Sequence, residues 1–418
     1  MSKLIIRGGK RLDGEIRVAG MKNAATPIIA ATLLTSEECF LDNIPRLSDV
    51  ERMLDILRSL GAEVEWTGNN SLRICVKEIN PENIDRKAVR ALRSSVLLFG
   101  PLVARSGEVN ISEPGGCIIG NRSLDTHLFA LSELGAKISR TSTEYQIRSR
   151  GLTGANIILP EFSVTATENV LMAAVLASGK TVVKIAAAEP HVQDLVAFLT
   201  KMGAKIRDAG SHTIEILGVE KLHGARHTII PDQIEAGTFA ALGAVTRGTV
   251  AIRGVEFGHL DSVLSVLRRA RVNLEQDGDV LKIIPANSLS AFRLQALPYP
   301  GFPTDLQAPF GVLATQAHGT SLIHDPLFEG RLGYIGELIK MGANAVVCDP
   351  HRVLISGPTP LYGTEIKSLD LRAGATMVIA GLVADGETIV SEAEVLDRGY
   401  ENLDERLRAL GAEIEKVD

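Results

Sequence analysis

Five stretches of the chain repeat one arrangement of apolar and polar positions. They are LDILRSLGAEVEW ending at Trp66, LFALSELGAKIS ending at Ser139, LVAFLTKMGAKIR ending at Arg207, IGELIKMGANAVV ending at Val347 and LDERLRALGAEIEK ending at Lys416. In each, apolar residues at i, i+3, i+4 and i+7 predict an amphipathic helix, Gly predicts a left-handed residue closing it, and the alternating run that follows predicts a strand. A sixth stretch, LSVLRRARVNLEQ ending at Gln276, keeps the apolar spacing but has Arg271-Val272 in place of Gly-Ala. The markers at 61, 135, 203, 271, 342 and 411 lie roughly 70 residues apart, longer than a solenoid repeat of about 20–50 residues.

Upstream of each amphipathic helix runs a second common element, an apolar helix-like segment, a turn with Gly and a short strand, as in LMAAVLASGKTVVKI ending at Ile185 and MVIAGLVADGETIV ending at Val390. Each unit therefore reads as helix, strand, loop, helix, strand, which predicts an α+β fold with helices packed on sheets. Six units divide into two lobes of three. The strand-to-helix loops hold Gly116-Cys117, Glu189-Pro190, Glu329-Gly330-Arg331 and Arg398-Gly399, and loops on a rigid scaffold are where chemistry is expected.

At 418 residues the chain exceeds what one core usually supports, in keeping with two lobes. The net charge of -6 excludes the basic face of a nucleic-acid binder, so an anionic ligand needs locally gathered Arg and Lys. No apolar run suggests a signal peptide or a membrane span, and the expected location is the cytoplasm. The four cysteines lack metal-ligand spacing and are expected to be free thiols, with no metal bound. Cys39, Cys75 and Cys348, in CFLD, RICVK and VVCDP, read as packed small hydrophobes. Cys117 follows Gly115-Gly116 close to Arg122, a setting that favours a reactive thiol, although a free loop cysteine remains the alternative.

Seven segments, GMKNAATP around Lys22-Asn23, PGGCIIGNRSLDTH around Cys117, PDQIEAGTF around Asp232, FPTDLQAPF around Asp305, LFEGR ending at Arg331, DLRAGA around Arg372 and DRGYENL around Arg398, resemble the motifs of the UDP-N-acetylglucosamine 1-carboxyvinyltransferase family, in that family's order and over essentially the whole chain. The resemblance implies an inside-out α/β barrel of two similar lobes, one spanning 21–230 and the other 1–20 plus 231–418, with the active site in the cleft between them. It implies transfer of the enolpyruvyl group of phosphoenolpyruvate to the 3-hydroxyl of UDP-N-acetylglucosamine, the first committed step of peptidoglycan synthesis, without metal or cofactor. Small-molecule substrates are then the partners, with no nucleic acid and no membrane.

By the same resemblance Lys22, Arg122, Arg331, Arg372 and Arg398 hold phosphoenolpyruvate, whose phosphate and carboxylate suit bidentate guanidinium. Asn23, Arg93, Arg122, Ser123, Leu124, Asp125, Ser163, Val164 and Leu327 hold the UDP-sugar. Cys117 is the thiol that acts as proton donor or as phosphate-release acid and is able to form an adduct with phosphoenolpyruvate, and Asp305 is the base for the attacking hydroxyl, with Lys22 and Arg398 completing the catalytic set. Taken singly, the cations read as surface ion pairs, Arg93 as a solvated helix charge, Asp305 as a helix cap in Pro303-Thr304-Asp305, and His127 as a supporting or merely helical residue.

Two departures stand out. Glu161-Phe162-Ser163-Val164-Thr165 replaces a basic residue followed by Ser-Val-Gly, and Thr165 with Glu168 reads as a T-x-x-E capping box. Ser123 stands where proline is common. Transfer to shikimate 3-phosphate is an alternative that the Cys117 loop argues against. A non-catalytic UDP-sugar-binding paralogue is another, disfavoured because Lys22, Cys117, Asp305 and Arg398 are retained together.

Overall fold

The computed structural model describes residues 2–115, 123–141 and 143–417. All six amphipathic helices end alike. Gly61, Gly135, Gly203, Gly342 and Gly411 have φ of 102°, 91°, 102°, 102° and 94°. At the first of them Gly61 N–H donates to the Arg58 carbonyl and Ala62 N–H to the Leu57 carbonyl, both at 3.0 Å, the bond pair of a Schellman motif. Arg271 adopts the same conformation with φ 58°, and the bonds Arg271 N–H to Arg268 and Val272 N–H to Leu267 recur at 3.0 Å. The sixth repeat keeps the geometry without the residue that makes it cheap.

Each repeat holds more strand than its sequence predicts. In one sheet Val250–Arg253 pairs in parallel with Gly14–Arg17 and antiparallel with Val280–Ile284, and Asn273–Asp277 forms the far edge. Four other sheets follow that order, and the sixth has three strands among the described residues. The additional strands are the return limb of a hairpin and a parallel strand as short as three residues, Asn156–Ile158 for instance. Three residues are too few to show a period.

Among the described residues the chain forms two compact units, one running from Gly20 to Ile230 and the other combining the chain up to Ala19 with everything from Pro231 onward. The N-terminal strand Lys3–Arg7 belongs to the latter because it lies between Glu387–Ser391 and Glu413–Val417. Backbone pairs fix both crossovers. Met21 N–H donates to the Ile230 carbonyl within one unit, and Asp232 N–H to the Ala19 carbonyl within the other, each at 2.9 Å. Among the described residues each unit has three sheets.

The helices fall into two kinds. Asp261–Arg269 buries Val263, Leu264, Val266 and Leu267 and leaves Arg268 and Arg269 outside, the pattern of a surface helix. Gln233–Thr246, by contrast, is buried along its whole length, as are Gln307–Thr315 and nearly all of Leu371–Val383. A helix that is apolar all round belongs in a core, and these three pack on one another with their sheets outside. Glycine permits the close approach: a Cβ at Gly237 would stand 2.4 Å from the Leu306 side chain. In the Gly20-to-Ile230 unit the corresponding helices are Lys22–Ala31, Phe99–Ser106 and Val164–Ala174. Gly100 lies against the last of these, its N–H bonded to Asn169 Oδ1 at 2.7 Å.

Two local expectations fail. Ser163 rather than Thr165 caps the Val164–Ala174 helix, accepting from Ala166 N–H at 3.3 Å. Glu168 does not reach back to the cap, because its position on the helix turns it into the core, where it is 1% exposed. Cys39 and Cys75 are buried as predicted, but Cys348 is exposed, since its strand Asn344–Asp349 is the edge of its sheet. No helix among the described residues is long and apolar enough to cross a membrane.

Candidate active site

In the unit from Pro231 onward, the functional candidates gather where the buried helices begin. Asp232 caps Gln233–Thr246 through bonds from Ile234 and Glu235 N–H. Asp370 caps Leu371–Val383 and fixes Arg372 as the second helical residue. Asp305 lies in the Thr304–Leu306 turn that leads into Gln307–Thr315. Its carboxylate is not a helix cap, for that helix has no side-chain cap. It bridges two guanidiniums instead, with Arg331 Nη2 at 2.7 Å and Arg372 Nε at 3.2 Å. The surface-pair reading of both arginines therefore gives way to a buried one, their side chains being 8% and 4% exposed.

Burial disfavours the charge on Arg372, but Tyr400, Asp305 and Asp232 together outweigh it and hold the guanidinium ionised. Burial also raises the Asp232 carboxyl to about 6, against the pull of Arg372 and two backbone amides. Arg331 Nε has no hydrogen-bond partner among the described groups, and Arg372 Nη1 and Nη2 have only the Tyr400 hydroxyl close by. The Tyr400 hydroxyl is near Arg372 and also contacts Thr238 Oγ1 at 3.0 Å. Buried donors of this kind are costly unless satisfied, and an oxyanion with several acceptor oxygens would satisfy them.

The surroundings hold this cluster in place. Gln307 Nε2 donates to the Arg331 carbonyl at 2.9 Å, and the Tyr334 hydroxyl donates to Gln307 Oε1 at 3.0 Å. Buried Asp325 accepts from Thr304 Oγ1 and from Leu327 N–H, so the Asp305 turn and Leu327 share an anchor, while the Leu327 side chain stays 38% exposed. Arg398 is half-buried at the end of the Ala393–Arg398 turn, two residues before Tyr400.

In the Gly20-to-Ile230 unit, Lys22 opens the Lys22–Ala31 helix with Asn23 beside it, and its Nζ lies 3.4 Å from Asp49 Oδ2. Arg93 is not a solvated helix charge. It is half-buried, donates to the Pro114 carbonyl at 3.3 Å, and has its pKa lowered by burial. Ser163 and Val164 begin the next buried helix, and Ser123 accepts from Asp125 N–H at 3.0 Å where Leu124 and Asp125 start the Asp125–Glu133 helix. These two helices are joined through His127, which meets Thr165 Oγ1 at 3.1 Å and Asn169 Nδ2 at 3.0 Å. Burial, then the Arg93 charge, lowers the His127 pKa to about 3, so it is a neutral structural group. Glu161 accepts from Thr126 Oγ1 at 2.9 Å and thereby joins the same pair of helices. Cys117 and Arg122 lie outside the described residues.

Asp232, Thr238 and Tyr400 were not assigned roles from sequence, although each sits inside a motif quoted above. Asp49 carried no signal at all. Among the described residues no group of three or more His, Cys, Asp and Glu side chains is arranged to hold a metal ion.

The family model for EPSP synthase (3-phosphoshikimate 1-carboxyvinyltransferase) matches residues 6–407. The chain is 44% identical to the UDP-N-acetylglucosamine 1-carboxyvinyltransferase of Koribacter versatilis (strain Ellin345), covering 100% of this chain and 97% of the relative. It is 41% identical to the protein so named from Finegoldia magna, over 100% and 99% of the two chains. Among solved structures, the enolpyruvyl transferase NikO from Streptomyces tendae superposes with TM-score 0.90 at 25% identity, covering 100% of this chain and 99% of the other. EPSP synthase from Acinetobacter baumannii superposes with TM-score 0.76 at 20% identity over the full length of both.

Proposed function

Because the chain belongs to the EPSP synthase family of enolpyruvyl transferases, we propose that it moves the enolpyruvyl group of phosphoenolpyruvate onto the 3-hydroxyl of UDP-N-acetylglucosamine and releases phosphate. The acceptor is read from the relatives: those at 41–44% identity carry the UDP-sugar name, whereas the EPSP synthase structures stand at 20–21%. On this reading the protein works in the cytoplasm, on small molecules, at the first committed step of peptidoglycan synthesis.

The observation that carries the chemistry is the Asp305 carboxylate between Arg331 and Arg372. Both guanidiniums suit the phosphate and carboxylate of phosphoenolpyruvate, and Lys22, Arg122 and Arg398 add positive charge. A substrate that takes over the guanidiniums frees a carboxylate oxygen, and Asp305 then accepts the proton of the attacking hydroxyl. Cys117 supplies a proton to the methylene carbon. The hydroxyl oxygen bonds to C2, and the tetrahedral intermediate then loses phosphate from C2 and a methyl proton, which restores the double bond. Asn23, Arg93, Ser123, Leu124, Asp125, Ser163, Val164 and Leu327 orient the UDP-sugar.

The test is phosphate release from phosphoenolpyruvate with UDP-N-acetylglucosamine or shikimate 3-phosphate as acceptor, using wild type and Cys117→Ser. Release with the UDP-sugar alone, and sharply reduced release from the variant, is expected. Release with shikimate 3-phosphate alone would overturn the acceptor, and full activity of the variant would remove Cys117 from the mechanism.

A further inference from the structure

On the outer side of the unit from Pro231 onward, a groove of about 320 Å³ runs between the Asp261–Arg269 helix and the segment Arg293 to Phe302. Its volume falls within the range of small-molecule sites. Arg269 and Arg293 both line it, together with Gln295 and Ser265, and no acidic residue does. Neither arginine has an ion-pair partner among the described residues. The wall is apolar at Leu297, which is 45% exposed, and at Phe302.

The neighbouring repeats serve as controls, because each sets the same helix beside the same strand. One repeat earlier, Arg226 pairs with Asp42 at 3.5 Å, and Lys201 meets His227, which is itself bonded to Asp194 at 2.8 Å. One repeat later, Lys340 pairs with Glu337 at 2.7 Å, and the strand opens with Glu365, which pairs with Lys3. Only at Arg269 and Arg293, of these three places, do two cations face a groove without a carboxylate. In a chain of net charge -6 that is not what average composition would produce.

We propose that this groove binds a small organic anion, with a phosphate or carboxylate head held by Arg269, Arg293 and Gln295 and an apolar or ring-shaped body against Leu297 and Phe302. Guanidinium pairs favour such heads, and the mixed lining matches the usual make-up of ligand sites. The groove is separate from the Asp305 cluster, although Phe302 precedes the Asp305 turn by two residues and packs edge-on against Phe310 with ring centroids 5.0 Å apart.

The test is binding of 4-fluorophenyl phosphate and of 4-fluorobenzoate, followed by fluorine NMR, to wild type and to the double variant R269Q/R293Q. The Asp305 cluster is the same in both proteins, so the difference between them reports the groove. Wild type is expected to bind at least one probe, and the double variant to bind it roughly tenfold or more weakly. The stronger of the two probes identifies the head group. Neither probe binding to wild type, or equal binding to the variant, overturns the proposal. Inorganic phosphate competing as well as 4-fluorophenyl phosphate would overturn the apolar half of it. Unchanged thermal unfolding of the variant, whose two positions are exposed, separates loss of the site from loss of the fold.

Discussion

Replacing Asp305 by alanine removes the carboxylate between two guanidiniums that are 8% and 4% exposed. Breaking a buried ion pair from one side costs about 3–5 kcal/mol. The lower end applies here, because Tyr400 and Asp232 still face Arg372 and Asp305 itself is 20% exposed. A loss of about 3 kcal/mol lowers Tm by roughly 6–12 °C in a cooperative unit of some 200 residues. Phosphate should restore part of it, since an anion at 100 times its Kd stabilises by about 2.7 kcal/mol. Wild type should gain less, as phosphate must there compete with Asp305 for the same donors. Calorimetry on wild type, Asp305→Ala and Asp305→Asn, with phosphate against chloride of equal ionic strength, measures this. Asp305→Asn should fall between the other two, because its amide oxygen can keep one guanidinium bond. If Asp305→Ala melts within about 1 °C of wild type, or if phosphate raises both equally, the three groups do not form the unit described.

Arg271→Gly should stabilise the protein by about 0.5–1 kcal/mol in urea unfolding, because a non-glycine residue with positive φ carries a steric cost that outweighs glycine's extra chain entropy. No gain would mean that the Arg271 side chain makes a compensating contact. The buried, neutral His127 has a folded pKa near 3 against 6.5 in an unfolded chain, so its contribution is full above pH 6.5 and is lost as pH falls towards 3. His127→Gln should flatten the fall in stability over that window, and an unaltered slope in urea melts at pH 4.5 and 7 would show that other groups govern it.

The outer half of every repeat was legible in the sequence because helix, Schellman turn and edge strand each leave a local signature. The buried helices were harder to type, since a segment such as QIEAGTFAALGAVT is apolar on every side and has no face for a period to mark. Thr165 and Glu168 show the limit of local pattern. Their spacing suits a capping box, yet Glu168 points into the core with its carboxyl held well above the usual range by burial and by Glu189. Asp305 shows it again: Pro-Thr-Asp before a helix reads as a cap, and nothing within that stretch indicates guanidiniums 26 and 67 residues further on. The family motifs pick it out as a candidate site residue, but its bridging geometry needs the starts of two helices and the Arg331 loop to come together.

Repetition explains why, within each unit, the candidates lie at the starts of buried helices. The starts of the buried helices carry Lys22, Ser163, Asp232, Asp305 and Arg372 at or near equivalent places. A helix start presents unsatisfied N–H groups and a partial positive charge, so each repeat supplies an address already disposed to bind oxyanions. At two of the three starts in the unit from Pro231 onward, Asp232 and Asp370 occupy those amides as caps. Anion binding there must come from side chains that reach past the caps. Arg372 does so directly, held one residue beyond the Asp370–Leu371 step, and Arg331 joins it from a loop fixed by Gln307 and Tyr334. The repeated backbone sets the position, then, while the chemistry lies where one repeat differs from the next.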